Sequence, residues 1–375
     1  MIKPFSINIP QHILDDLKMR LEHSRWPNEI ENTGWQYGTN LAYLKSLSSY
    51  WLHTFNWRKV EAEINAFPNF MATIDGHKIH FLHIKAKQKN AMPLIITHGW
   101  PGSFLEMMKL IPLLADNNDF AFDLVIPSVI GFGFSEKITV PGCNSYFIAG
   151  LWNKLMLALG YKKYGAQGGD IGAGISTWLA LKHPQNITGL HLNYIPGSYQ
   201  PFVKENERVP ADVQLFRDYA NSWSSEEGAY AHQHSSKPLT LAYGLNDSPV
   251  GLCAWILEKF NSWSDNNGHV ENVFTKEELL ANITLYWVTQ TIYSSVHIYY
   301  ENRMKPMIFN EGDYIKLPVA FAQFPKELPT PPRLWVEKGY NIRRWTEMPA
   351  GGHFAAMEQP QLLAKDIVDF FSGCR

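Results

Sequence analysis

The sequence predicts an α/β protein: a mostly parallel sheet with helices on both faces, a helical lid insertion, and a meandering N-terminal extension. Three observations predict this. Short apolar, β-branched runs alternate with helical stretches from about residue 93 to residue 194, the rhythm of a parallel sheet covered by helices. That rhythm is lost between about 195 and 317, where helix-start signals replace strand signals. Strand-like runs then return at 317–324 and 342–348, before a final helix at 360–371.

The extension reads as helical. Pro10 precedes Ile13, Leu14, Leu17 and Leu21, an apolar stripe with helical spacing that stops near Trp26-Pro27. A second helical stretch covers 41–67. Asp75-Gly76 lies between two β-like runs within 71–85 and is a hairpin signal. Buried-strand runs follow at 93–97 and 123–129, then a helix at 152–159, a strand at 163–167, a helix at 173–181 and a strand at 187–194. Inside the insertion, Asp247-Ser248-Pro249 offers a cap followed by proline at the first helical position. Thr275-Lys276-Glu277-Glu278 reads as a capping box opening a long helix. The expected division is an extension leading into the first strands (1–85), a core (86–195 and 313–375) and a lid (196–312).

Of the 375 residues, 45% are hydrophobic, enough for a sizeable core. The formal net charge of -2 offers no basic surface for nucleic acid or anionic membrane. Cys143, Cys253 and Cys374 are far apart and odd in number, which fits neither a disulfide framework nor a zinc site. The first residues, MIKPFSINIP, lack the apolar core of a signal peptide, and no run approaches about 18 apolar residues. The expectation is a cytoplasmic protein with no stable membrane anchor; homo-oligomerisation stays open. The 13 Trp and 14% aromatic share suit an apolar ligand cavity as well as a large aromatic core.

Three loops carry chemistry. Gly168-Gly169-Asp170-Ile171-Gly172 follows a strand and opens a helix, a tight turn that pushes one side chain out over the sheet. The usual occupant is serine; here it is aspartate. A phosphate cradle is disfavoured, because the central carboxylate repels an anion and no Gly-Lys-Ser/Thr follows. A plain structural turn is the other reading. His98-Gly99-Trp100-Pro101-Gly102 follows the strand at 93–97, where α/β-hydrolases supply one backbone N–H of an oxyanion hole; the residue after the nucleophile supplies the other. These would be Trp100 and Ile171, although a structural turn with a buried His98 is the better account of this loop taken on its own. Gly351-Gly352-His353-Phe354 follows the last strand, where the fold puts its base. A nucleophile–acid–base order then asks for a carboxylate between Asp170 and His353. Glu327 fits, with Glu337 and Asp313 as weaker options, and the strand at 187–194 ends in Asn193 and Tyr194 with no acid.

With these motifs in hand, the chain resembles the microsomal-type epoxide hydrolases of the α/β-hydrolase fold over nearly its whole length. The match rests on HGWPGS (98–103), GGDIG (168–172), YGLNDSPVGLCAWILEKF (243–260) and GGHFAAMEQP (351–360), in that order, and on an extension up to about Pro68. The resemblance implies a triad of Asp170, Glu327 and His353, with Tyr230 and Tyr299 as lid tyrosines; Tyr299 falls near the end of the long helix opened at Thr275, and Tyr230 in a less regular stretch, 228–234. Two departures matter: mammalian microsomal enzymes carry an N-terminal anchor, and Ile171 stands where some relatives have tryptophan. The implied reaction takes a small apolar epoxide and water to a vicinal diol through an aspartyl ester, with no metal or organic cofactor. A haloalkane dehalogenase would share the aspartate and could use Trp100 as a halide donor, but Ile171 could not be a second and the tyrosines would lack a role. A non-catalytic ligand-binding homologue would have no need of a triad.

Overall fold

The structure, a computed structural model, describes residues 1–374. One nine-stranded sheet organises it: β1 (Ile2–Pro4), β2 (Asn69–Ile74), β3 (His77–Ile84), β4 (Met92–Thr97), β5 (Phe122–Pro127), β6 (Tyr164–Gly168), β7 (Ile187–Leu192), β8 (Ile315–Gln323) and β9 (Tyr340–Glu347), in spatial order β1-β2-β3-β5-β4-β6-β7-β8-β9. The first three pairs in that order, β1–β2, β2–β3 and β3–β5, are antiparallel and the remaining five are parallel. The parallel strands are buried on both faces, which is why 94–97 and 164–168 read as continuous small and apolar runs. Helices Ser145–Ala158 and Asp170–Lys182 pack together, as do Leu110–Ala115 and Pro360–Ser372.

The sheet register sets the site. Thr97 pairs with Gly168, Gly168 with Leu192, and Leu192 with Phe321, so the carboxyl ends of β4, β6, β7 and β8 lie level. The loops that leave them therefore converge, as ligand-binding loops do in open α/β sheets.

Local signals held where they rest on short-range chemistry. Asp75 (φ 49) and Gly76 (φ 87) form the two-residue turn between β2 and β3. Ser248 accepts from Gly251 N (3.0 Å) and Pro249 opens helix Pro249–Ser262. The Thr275–Glu278 capping box is complete. Longer-range expectations need correction. The stretch 41–67 is two helices, Leu41–His53 and Trp57–Asn65, because Asn56 caps a new start. The long lid helix also ends early: Gln290 turns left-handed (φ 52), and a separate helix, Ile292–Met304, carries Tyr299. Tyr230 lies on a regular helix, Ala229–Ser236, rather than in irregular chain. Strand β1, an edge pairing onto β2, is not apparent in the sequence.

Between β7 and β8 the chain runs mainly through helices, from Ala211–Glu227 to Ile292–Met304. This block is tied inward to the loop after β4, where Asn282 Nδ2 donates to Pro101 O (2.8 Å) and Tyr286 OH to Gly102 O (2.7 Å). On its outer side the N-terminal helices grip it. Arg20 bonds to the Asp247 carbonyl (2.8 Å), Thr39 Oγ1 donates to Ala254 O (2.7 Å), and Tyr50 donates to Glu277. Among the described residues no helix is long and apolar enough to cross a membrane.

Candidate active site

Asp170 sits where β6 turns into its helix, and the turn forces it to φ 48. A non-glycine residue takes this left-handed conformation only at a cost, and such strain collects at functional sites. The surrounding glycines keep backbones in contact: a Cβ on Gly172 would lie 2.0 Å from Thr97 O, and one on Gly99 would lie 2.0 Å from Asp170 Oδ1. The loop after β4 is thereby pressed against the turn. Trp100 N donates to Asp170 Oδ1 (2.8 Å), and the Ile171 amide bonds to the same carboxyl. Both expected oxyanion donors converge on the aspartate itself. His98 is buried and structural: its Nε2 accepts from Val129 N (3.1 Å) and its Nδ1 donates to Gly99 O (3.1 Å).

His353 follows β9. Its amide donates to Trp263 O (2.9 Å), and Glu358 accepts from the amides of Asp265 (2.8 Å), Gly352 (3.0 Å) and Phe354 (3.0 Å). These bonds fix the loop that presents the imidazole. Nδ1 meets Glu327 Oε1 at 2.5 Å, and Nε2 lies 3.6 Å from Asp170 Oδ2. Glu327, just past β8, is steadied by Leu328 N (2.7 Å). The other two acids are engaged elsewhere, Glu337 with Arg333 (2.7 Å) and Asp313 with Asn310 N (2.8 Å). Burial disfavours an imidazolium, but Glu327 first and then Asp170 and Glu106 outweigh it and raise His353 to about 9. Burial also pushes the Asp170 carboxyl up, opposed by His353 and the two amides.

Tyr230 and Tyr299 come together above Asp170. Their side chains hydrogen-bond to one another, with ring centroids 5.9 Å apart. Trp100 stacks on Tyr230 (5.4 Å, 12°) and meets Tyr299 edge-on (6.0 Å). Burial, reinforced by the Asp170 charge, lifts both phenols well above 10, so both are protonated donors at neutral pH. A cavity of about 620 Å³ reaches these hydroxyl-bearing residues and Asp170, and is walled by Trp178, Tyr194, Phe216, Trp223 and Leu328.

Comparison with known proteins gives the family of the chain. The family model described as "Epoxide hydrolase N terminus" matches residues 2–107, and "alpha/beta hydrolase fold" matches 92–233. Epoxide hydrolase 1 of Oryctolagus cuniculus is 37% identical over 401 residues, covering 98% of this chain and 88% of its own. The chain belongs to the epoxide hydrolase family. Juvenile hormone epoxide hydrolase 1 of Ctenocephalides felis is 35% identical, covering 98% of this chain and 84% of its own. Among solved structures, the juvenile hormone epoxide hydrolase of Bombyx mori matches with a TM-score of 0.87 at 32% identity, covering 100% of this chain and 94% of that one. The Aspergillus niger epoxide hydrolase gives 0.87 at 30%, covering 100% and 97%.

In this epoxide hydrolase the structure adds polar groups that sequence reasoning passed over. Gln167, at the end of β6, donates from Nε2 to Asn193 Oδ1 (2.9 Å), and both are buried beside Asp170. Glu106, three residues past Ser103, is buried against Gly102. Its Ser-x-x-Glu spacing was the available signal, but it reads as a helix cap. Among the described residues no group of three or more His, Cys, Asp or Glu is arranged to hold a metal ion.

Proposed function

We propose that this enzyme converts an apolar epoxide and water to a vicinal diol through a covalent Asp170 ester, with residues 196–312 as the lid over the reacting groups. The observation that carries the reading is the division of labour on one carboxyl. Asp170 Oδ1 accepts from the Trp100 amide while Oδ2 faces His353 Nε2. Oδ2 attacks the epoxide carbon; Oδ1 becomes the ester carbonyl oxygen, already seated on the donors that stabilise an oxyanion. No base is needed for this step, since the nucleophile is already anionic. The C–O bond of the ring breaks as Tyr230 and Tyr299 donate to the leaving oxygen, which keeps a basic alkoxide from forming.

Ester formation removes the Asp170 charge, and with it one of the interactions that raise His353. The imidazolium can then release its proton, and the neutral imidazole takes one from water, with Glu327 orienting Nδ1 and stabilising the imidazolium that forms. Water attacks the ester carbonyl carbon, the carbonyl–oxygen bond to the substrate breaks, and His353 returns its proton to the departing diol oxygen; the second water proton, left on the Asp170 carboxyl, replaces the one that the tyrosine pair gave to the ring oxygen, so the nucleophile is again ionised. The cavity's aromatic walls favour a bulky apolar epoxide. A dehalogenase fits less well, because the Trp100 indole packs on Tyr230 and does not line the large cavity.

A single turnover in ¹⁸O-water tests the reading. Label is expected in the Asp170 carboxyl, with the first diol carrying the old carboxyl oxygen. Solvent oxygen appearing directly in the first diol would mean direct attack by water and would overturn it.

A further inference from the structure

Glu106 is a buried carboxyl at the site with no part in the steps above. Its neighbourhood is that of a Ser-x-x-Glu cap: Ser103 Oγ accepts from Leu105 N (3.3 Å), and the Ser103 amide bonds to the Glu106 carboxyl. The same pattern occurs at Thr275–Glu278, where the comparison is instructive. There the glutamate is partly exposed and pairs with Lys109 (2.5 Å). A cap needs nothing more. Glu106, by contrast, is buried, and no lysine or arginine pairs with it among the described residues. Burial first, then Asp170 and Glu327, push its carboxyl up to about 8, against the pull of His353. Capping alone does not account for a carboxyl kept in so unfavourable a place.

Its position supplies the account. Gly102 is kept bare for it, since a Cβ there would lie 1.3 Å from Glu106 Oε1. The carboxyl lines a second cavity of about 20 Å³, shared with Asp170, His353, Gln167 and Asn193. That volume suits one water, which needs roughly 10–15 Å³ and two to four polar partners. A partner is waiting: Gln167 Oε1 is buried and hydrogen-bonded to nothing. Asp170 borders both cavities, so the large one reaches it from the substrate side and the small one from another.

We propose that Glu106 is a positioning residue that holds the hydrolytic water between its own carboxyl, Gln167 Oε1 and His353 Nε2. One water proton goes to His353 as the oxygen attacks the ester carbonyl carbon. The other stays hydrogen-bonded to Glu106 or Gln167, which fixes the lone pair toward that carbon. The proposal rests on the covalent Asp170 ester.

The test is rapid-quench intact mass spectrometry on the full chain with styrene oxide, resolving ester formation from ester loss. The variants are Glu106→Ala, Glu106→Gln, Ser103→Ala and, as the ester-trapping control, His353→Gln. In Glu106→Ala, ester loss is expected to slow about 10²-fold, the scale for a misplaced reactant, while ester formation stays within about threefold. Glu106→Gln keeps a carbonyl acceptor and should restore most of the rate. Ser103→Ala, which weakens only the cap, should lower the melting temperature without separating the two steps. If Glu106→Ala slows both steps together or neither, Glu106 is structural and the proposal fails. Should that variant not fold, Glu106→Asp withdraws the carboxyl by one methylene and must show the same split, or the proposal fails. If no ester is trapped even in His353→Gln, the covalent reading itself is wrong and this proposal falls with it.

Discussion

Glu327→Gln is the substitution whose effect the structure fixes most closely. The amide keeps an oxygen for His353 Nδ1 at the 2.5 Å contact but removes the charge. Glu327 is the largest of the interactions raising His353, which stands at about 9 against an ordinary 6.5. That displacement corresponds to about 3 kcal/mol in favour of the imidazolium. The imidazolium develops as His353 takes a proton from water, so losing this support slows ester hydrolysis by about 10²-fold. Ring opening needs no base and should slow far less, so the ester accumulates. A stability cost accompanies this, because Glu327 Oε2 is buried without a partner and an amide NH₂ there is an unsatisfied donor, worth about 1–3 kcal/mol. The assay is rapid quench with intact mass, normalised to folded protein by circular dichroism. Ester hydrolysis within about threefold of wild type, with no accumulated adduct, would refute the pairing of Glu327 with the base.

Single Tyr230→Phe and Tyr299→Phe variants should slow ring opening by about 10²-fold, with little effect on ester hydrolysis, and the double variant should nearly abolish opening; pre-steady-state ester formation close to wild type in the double variant would make both tyrosines structural. Gly172→Ala should lower stability by at least about 1–3 kcal/mol, because its Cβ meets the Thr97 carbonyl at 2.0 Å, whereas Gly99→Ala should fold but lose activity through its clash with Asp170 Oδ1; chemical denaturation and kcat/KM separate the two. For Glu106 the folded carboxyl titrates at about 8 and the unfolded one near 4.5. A raised carboxylate pKa means that the folded state holds the proton longer, so wild-type stability falls as pH rises from about 5 to 8. Glu106→Gln removes that dependence, and its melting temperature relative to wild type should climb over the same window, at up to about 1.4 kcal/mol per pH unit. A difference that stays flat from pH 5 to 8 would show that the carboxyl is not held neutral.

How much of this was legible depended on range. The Asp75-Gly76 turn, the Ser248 cap and the Thr275 box are each settled by a few adjacent residues, and each reads directly from the chain. The break at Gln290 does not, because neither glycine nor proline marks it; the helix ends there through a left-handed glutamine. The β1 edge is three residues whose pairing partners lie near residue 71. At the site, Asp170 and His353 stand out because each follows a strand at a fixed place in the fold. Glu327 stood among three carboxylates until packing separated them, with Glu337 and Asp313 drawn to Arg333 and Asn310. Glu106 was hidden in another way: its spacing advertises a cap, and only burial shows that the same residue also faces a cavity.

Helix Ala211–Glu227, with Val213 its one buried side chain, is a free edge of the lid, but the helices that follow it are pinned on two sides. Their inner side is fastened to the loop beside the nucleophile through Asn282 and Tyr286, and their outer side is strapped by the N-terminal helices at Arg20, Thr39 and Tyr50. Moving those helices would break the Asn282 and Tyr286 bonds to the loop that carries Trp100. The large cavity extends from Asp170 past Trp178, Pro196 and Lys305, and one of its walls is the free helix, at Phe216, Ala220 and Trp223. The long extension acts in this architecture as a splint for the helices it touches, at Asp247, Ala254 and Glu277.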